Sequence, residues 1–413
     1  MKAHCSAARA LFIRWAGAAN GRKSRSFVSV RRGISAYVVF GLVLSGNTPV
    51  VGQEWRVQPS VSVGLVFNDN VELTDVDPQS SWGTIVGLGV RALRSSENAD
   101  LGMLGALSWT SYSSDEELDT TTGLLGVDLG YQTERSRFGL STSFSTQSTQ
   151  TSEAATTGLS DANGQQYRLN ISPFWSYLLS ERGSMTVSLS YDDVFYEDVE
   201  GSSLSDYRSA DISLSGSYRL TEQATLDARI GYGRYEATDS QTDAINAEVG
   251  AGYAISETLS LNFLFGLQSS ESNTSRLDGG SSSRRSTGPT YTLSVIKDFP
   301  RGGALTMSAT RSLVPSGASD VLDTTALGAG LAYPLSERWR LSLGGRVYRN
   351  REPGAETEES VLFALAGDVG LSYQIRESLS LQLGYRCRWQ EDEQARTSAD
   401  SNELSLNLAW RPL

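Results

Sequence analysis

LSLQLGYRCRW, residues 379–389, alternates without a break. Leu379, Leu381, Leu383, Tyr385, Cys387 and Trp389 share one parity, and Ser380, Gln382, Gly384, Arg386 and Arg388 share the other. Successive side chains of a β-strand point to opposite faces, so this period of two specifies a strand with one apolar and one polar face. The same rhythm sets Leu259, Leu261, Phe263, Phe265 and Leu267 against Ser260, Asn262 and Gln268, and Leu404, Leu406, Leu408 and Trp410 against Glu403, Ser405, Asn407 and Arg411.

The spaces between such runs are of two kinds. Short connections fall at 95–100, 132–137, 179–184, 220–225, 255–260, 297–303, 334–340 and 375–380, most of them built on Ser or Thr followed by Glu. Longer, acidic, Ser/Thr/Gly-rich connections fall near 68–81, 113–121, 150–163, 197–206, 237–243, 270–287, 314–323, 351–359 and 391–401. Alternating short and long connections between about 18 strands predict an all-β, antiparallel, up-and-down transmembrane barrel with short periplasmic turns and long external loops. Pro173 falls inside the sixth strand, where it has no N–H for the ladder, and makes 16 strands the nearest competitor.

A soluble β-sandwich would alternate too, but it buries its apolar face in a finite core. Eighteen strands enclose far more volume than inward Ser, Gly and Thr fill, so the interior is expected to be aqueous and the apolar parity to meet lipid. A chain only 39% apolar is then sufficient, because alternate residues alone need an apolar environment. Strands approaching the short turns end in tyrosine on the apolar parity at Tyr131, Tyr177, Tyr218, Tyr253, Tyr333 and Tyr373, as expected of an interfacial belt.

Charge divides the chain. Residues 1–53 hold Lys2, Arg9, Arg14, Arg22, Lys23, Arg25, Arg31 and Arg32 and no acid, a leader of +8. The formal total is −12, so residues 54–413 carry −20, and a nucleic-acid partner is not expected. The basic stretch is followed by the apolar run ISAYVVFGLVLSG (34–46) and small residues up to Gly52 and Gln53. That order is a signal peptide's, and the run is too short for a spanning helix. The expectation is a signal peptide at 1–53 and an outer-membrane barrel at 54–413. With Cys5 in the leader, Cys387 stands alone and no internal disulfide is expected.

Function classes narrow in the same way. The one histidine, His4, lies in the leader, which removes the usual neutral-pH base or acid from the barrel, and no enzyme is expected. Acidic runs at DEELD (115–119) and Asp192–Asp193 read as solvated surface. FNDNVELTD (67–75) brings Asp69, Glu72 and Asp75 close enough to suggest calcium but lacks EF-hand order, so neither metal nor cofactor is expected. Residues 54–413 contain 26 Arg and one Lys, Lys297. Strand parity turns Arg91, Arg137, Arg168, Arg219, Arg229, Arg340, Arg346, Arg386, Arg388 and Arg411 inward, with Asp128, Asp192, Asp211, Asp227, Glu248, Asp368 and Glu403. Mixed rings of this kind either handle charged solutes or pair with one another and fill the lumen.

VQPSVSVGLVFNDNVELTD (57–75), with Asn-Asp-Asn after an aromatic, resembles the opening of the β-barrel porins often associated with exopolysaccharide or capsule systems. The LSER-type turns and strands such as SLSYDDVFYED (188–198) extend the resemblance over the barrel. It implies a Gram-negative outer-membrane pore with lipid and the barrel assembly machinery as partners, and small anionic or sugar solutes or a polysaccharide as cargo. The chain closes WRPL, so Trp410 is the candidate for the aromatic signal that such barrels commonly carry at their end. Rivals are a structural or adhesive barrel with a plugged lumen and a soluble periplasmic or secreted β-protein.

Overall fold

Period-two sequence becomes strand throughout the computed structural model, which describes residues 55–412 except 115–117, 157–163, 200–201, 203, 276–280, 318–319, 352–361 and 393–396. The expected leader, 1–53, lies outside the described residues. The first nine strands are β1 (Arg56–Asn68), β2 (Ser81–Ser95), β3 (Ala99–Tyr112), β4 (Thr120–Gln132), β5 (Ser136–Ser148), β6 (Gln165–Leu178), β7 (Gly183–Glu197), β8 (Tyr207–Arg219) and β9 (Ala224–Ala237). They continue as β10 (Ser240–Ser256), β11 (Leu259–Ser275), β12 (Ser281–Asp298), β13 (Ala304–Ser316), β14 (Asp320–Pro334), β15 (Trp339–Arg351), β16 (Leu362–Arg376), β17 (Leu379–Asp392) and β18 (Thr397–Trp410). One helix, α1 (Thr149–Thr156), lies between β5 and β6.

Each strand pairs antiparallel with its sequence neighbours, and β1 pairs with β18 from Val61↔Trp410 to Asn68↔Glu403, so an 18-stranded barrel closes without a free edge. Pro173 does not reduce the count. It pairs with Leu140 on β5, and on the other side the β6–β7 ladder skips from Ile171↔Tyr191 to Phe174↔Ser188 without changing register. The missing N–H therefore opens a local gap instead of ending the strand.

The short turns repeat one device. Ser96, Thr133, Ser180, Thr221 and Ser336 each use the side-chain hydroxyl to accept the backbone N–H three residues on, from Ala99, Ser136, Gly183, Ala224 and Trp339. This is why Ser or Thr opens nearly every short connection. In the 297–303 turn Gly302 supplies a φ of 80°, which a side chain would resist.

Three stretches read as long loops are largely strand. β9 and β10 are separated only by residues 238–239, β11 and β12 carry the ladder to Ser275↔Ser281, and β13 and β14 to Ser316↔Asp320. The apolar alternation stops there, but the ladder does not. Beyond the lipid level both faces can be polar, as in the pairs Glu271↔Arg285 and Thr242↔Ser272.

Paired residues share a face, so the register fixes which side each one takes. One parity carries exposed Val61, Val63, Leu65, Leu88, Leu107, Ile230, Val249, Leu267 and Leu406, and this is the outer surface. On β1 the outer run from Val57 to Phe67 rises about 33 Å along the strand, or about 25 Å in height at a tilt of about 40°, the height of a membrane barrel's apolar band. All six belt tyrosines share the outer parity near the short-turn end. Neighbouring aromatics complete the belt: Phe138–Trp175, Phe299–Tyr333 and Trp339–Tyr373 have ring centroids 6.3, 5.7 and 4.6 Å apart. A second group, Phe67–Trp82 at 4.9 Å and Tyr167–Phe195 at 4.7 Å, lies at the long-loop end.

Candidate pore and its constriction

The inner parity is where the chemistry of this chain collects. Register places Arg91, Arg137, Arg168, Arg219, Arg229, Arg340, Arg346, Arg386 and Arg388 on it, with Asp128, Asp192, Asp211, Asp227, Glu248, Asp368 and Glu403. Arg411 follows the last residue of β18. Three pairs form: Arg168–Asp192 at 2.7 Å, Arg386–Glu403 at 3.4 Å and Arg229–Glu248 at 4.0 Å. Asn170 adds a hydrogen bond to Asp192 at 2.9 Å, and Ser141 donates to Asp128 at 2.7 Å. The structure does not bring the rest together: among the described residues Arg91, Arg137, Arg219 and Arg340 have no carboxylate within 4 Å, and Arg137 instead covers the ring of Phe174 at 5.9 Å.

These charges are unevenly shared around the circumference. The inner faces of β7 to β10 carry Asp192, Asp211, Asp227 and Glu248. The inner faces of β15 and β17, on the opposite side of an 18-stranded ring, carry Arg340, Arg346, Arg386 and Arg388. Arg219 and Arg229 share the first of these walls, and Asp368 and Glu403 lie on β16 and β18 beside the second, so among these named residues each wall keeps an excess of two charges, of opposite sign. A solute between them meets a transverse field that water screens in part.

Along the axis the lumen is divided. Towards the short turns the inner residues are exposed, Arg91, Arg219 and Arg229 among them. Towards the long loops inner residues are buried on strand after strand: Val66 and Asn68 on β1, Gln166 on β6, Val194 on β7, Ser209 on β8, Tyr235 on β9, Thr242 on β10, Gln268 on β11, Thr290 on β12, Asn350 on β15, Ala364 on β16 and Ser401 on β18. Something covers them from inside the barrel.

One part of that cover is the β13–β14 hairpin. The β12–β13 ladder stops at Tyr291↔Arg311 although both strands run on, so the hairpin leaves the wall. Its tip passes β12, β11 and β10 on the inner side and meets β7, β8 and β9. Leu313 and Val321 pack with Val194, Tyr196, Tyr207, Tyr235, Val199 and Leu204, and the rings of Tyr207 and Tyr235 lie 5.3 Å apart. Burying each valine of that cluster stabilises by about 1.5–3 kcal/mol. Hydrogen bonds fix the end: Tyr235 Oη donates to the carbonyl of Ser316 at 2.8 Å, the N–H of Ser205 to that of Gly317 at 2.6 Å, and Gln268 Oε1 accepts the N–H of Leu313 at 3.3 Å. At Gly317 a side chain would run into Tyr196 and Leu204, so glycine is what lets the tip seat.

α1 closes the layer beside it. Glu153, 5% exposed, accepts from Tyr196 Oη at 2.6 Å and from Gln166 Nε2 at 2.9 Å, which ties the helix to β6 and β7. Thr149 Oγ1 accepts the N–H of Gly164 at 3.0 Å.

The Asn-Asp-Asn motif has a structural part at the seam. Asn68 Oδ1 accepts from the N–H of Asn70 at 2.9 Å and from Ser401 Oγ at 2.8 Å. Asp69 accepts from the N–H and the side-chain amide of Asn402 at 2.7 and 2.8 Å. Asn70 donates to the carbonyls of Thr74 and Asp400, both at 2.8 Å. All three side chains staple the first loop to β18, and among the described residues no group of three metal-ligating side chains forms. Of DEELD, residues 115–117 lie outside the described residues, and Asp119 accepts the N–H of Tyr112 at 2.8 Å.

Reading the sequence for charge missed the constriction. Its signal was present as inward aromatic and aliphatic residues at the long-loop ends, Val66, Val194, Tyr196, Tyr207, Tyr235 and Tyr348, which a water-filled lumen has no use for.

No family model and no curated protein matches the chain. Among solved structures it is similar to the outer membrane channel DcaP of Acinetobacter baumannii, at 12% identity and a TM-score of 0.45 over 89% of this chain and 100% of that one. It is similar to OpdQ of Pseudomonas aeruginosa, at 10% identity and a TM-score of 0.45 over 87% of this chain and 97% of that one. It is also similar to the copper transporter OprC, at 13% identity and a TM-score of 0.41 over 82% of this chain, which spans 62% of the length of that protein. The likeness is one of shape.

Proposed function

We propose that the chain is an outer-membrane porin of the Gram-negative type, a passive pore for small solutes with a narrow, charged passage. The observation that carries this reading is the division of faces: an apolar band about 25 Å high outside, and an exposed, charged inner wall inside a closed barrel. In this reading residues 1–53 are the export leader, outer-membrane lipid surrounds the band, the short turns face the periplasm, and the assembly machinery inserts the barrel. Opposed acidic and basic walls suit anionic or sugar solutes, which carry both charge and hydroxyl groups.

A link to exopolysaccharide export rests on the resemblance of residues 57–75 and 188–198. The layer formed by the β13–β14 hairpin and α1 favours small solutes over an extended polymer. It also supports a second reading, a barrel whose lumen is plugged and whose outer loops are the working surface. Single-channel recording from the purified, folded chain in planar bilayers separates the two. Discrete conductance steps are expected; folded protein that inserts and passes no current would leave the plugged barrel as the better account.

A further inference from the structure

Among the inner arginines without a carboxylate partner in the described residues, Arg388 is set apart by its burial. Arg388 on β17 is half-buried, yet among the described residues its guanidinium has no carboxylate within 4 Å and no hydrogen-bond acceptor. A guanidinium has five N–H donors, and leaving them unsatisfied while partly desolvated is costly unless water or a ligand completes them. Two strands away, in the same row, stands Arg346: the register runs Arg346↔Ala366↔Arg388, with Gly328 on the far side of Arg346 and Ser401 on the far side of Arg388. Arg346 is exposed, has no carboxylate within 4 Å, and donates only to Tyr348 Oη at 3.4 Å. Two strand spacings put the two Cα atoms about 10 Å apart, a gap that two arginine side chains are long enough to bridge over the methyl of Ala366 when a shared ligand draws them together.

The rows above and below shape the place. Above run Tyr348↔Ala364↔Gln390↔Ala399, of which Tyr348, Ala364 and Ala399 are buried. In the arginine row Ser401 is buried as well, Arg388 half-buried and Arg346 exposed, so the row lies at the lower edge of the occluding layer and opens towards Arg346. Below run Gly344↔Asp368↔Arg386↔Glu403. Glu403 neutralises Arg386, while the carboxylate of Asp368 leans over Gly344 and receives no hydrogen bond among the described residues. The result is a ledge with two guanidinium groups that pair with no carboxylate among the described residues and one carboxylate, Asp368, that accepts no hydrogen bond among them, with the amide of Gln390 at its edge and packed side chains above.

We propose that Arg346 and Arg388, with Asp368 and Gln390, form a subsite for a hydroxylated monocarboxylate of sugar-acid size on the lumen wall. The carboxylate takes the arginines, for which guanidinium geometry is matched. The hydroxyls donate to Asp368 and exchange hydrogen bonds with Gln390. Asp368 leaves the ledge with a net charge near +1, which suits a monoanion better than a dianion such as phosphate. The subsite rests on the reading of the lumen as a solute path, but its occupation is an equilibrium property and needs no current.

The test is equilibrium binding to the full, folded chain in detergent, by calorimetry, with galacturonate, galactose and inorganic phosphate as probes. Galacturonate is expected to bind more tightly than either of the others. Arg346→Gln and Arg388→Gln are each expected to weaken it by about tenfold or more, Arg388→Lys by less, and Arg219→Gln at the short-turn rim not at all. Native protein that binds galacturonate no better than galactose, or as well as phosphate, overturns the proposal without recourse to any variant. So does a folded Arg346→Gln/Arg388→Gln protein with undiminished binding. A silent bilayer beside retained galacturonate binding would count against the pore and leave the subsite standing.

Discussion

At the scale of the residue, the Asn-Asp-Asn motif shows how polar side chains can be spent on closure instead of ligands. Asn70 is 4% exposed and meets three backbone groups of two segments, Thr74 N–H, Thr74 C=O and Asp400 C=O. Replacing it by alanine leaves those groups without a partner where water has poor access. Asn70→Ala is expected to destabilise the barrel by about 1–3 kcal/mol, with the first loop opening before the ladder does. Urea unfolding in micelles measures the first, and hydrogen exchange at Asp69 and Asn402 the second; unchanged protection at both would dismiss the staple. The motif could be located in the sequence and read as a polar loop in preference to a calcium site. What its side chains hold could not be read there, because their partners on β18 lie 330 or 333 residues away and only the pairing of β1 with β18 brings them in.

At the scale of the element, legibility follows the environment. Strands were readable wherever one face meets lipid, since the alternation of Leu259 to Leu267 or Leu379 to Trp389 is imposed by that contrast. Above the band the contrast vanishes, and the upper parts of β10, β11, β12, β13 and β14 looked like loops. The inward turn of the β13–β14 hairpin was hidden for a further reason: Leu313 and Val321 keep the outer parity and differ in nothing from lipid-facing residues until the strand leaves the wall. The seating of that hairpin can be tested through Gly317. A side chain there meets Tyr196 and Leu204, so Gly317→Val should unseat the tip while the barrel, whose ladders lie elsewhere, stays folded. Single-channel conductance should then rise several-fold, with sheet content by circular dichroism unchanged. A folded variant of native conductance would mean that the hairpin does not limit the passage.

At the scale of the whole molecule, the distribution of polarity is inside out relative to a soluble protein. Strongly exposed apolar side chains on the strands include Ile245, Val249, Leu267 and Ile230, while the enclosed face carries Ser, Gly, Arg and Asp. In water such a surface would be a standing invitation to aggregate; in lipid it is what binding to the bilayer requires. The charge of −20 on residues 54–413 therefore belongs to loops, lumen and the strand ends above the band, where Asp193, Arg208, Arg234 and Asp243 lie on the outer parity, and cannot be placed on the band without cost. That cost separates the membrane barrel from a soluble β-protein quantitatively. Val249 lies mid-strand on β10 with its side chain 66% exposed. Val249→Arg should destabilise the chain folded in lipid vesicles by about 2–4 kcal/mol if it faces the middle of the bilayer, and by almost nothing if it faces water. Ser213→Arg, inward on β8 opposite Gly231, is the control and should be close to neutral in the wet lumen. Unfolding titrations of both variants give the comparison directly. Equal and small effects would return the chain to the soluble class, whereas a large cost at Val249 alone fixes both the lipid-facing parity and the depth at which it runs.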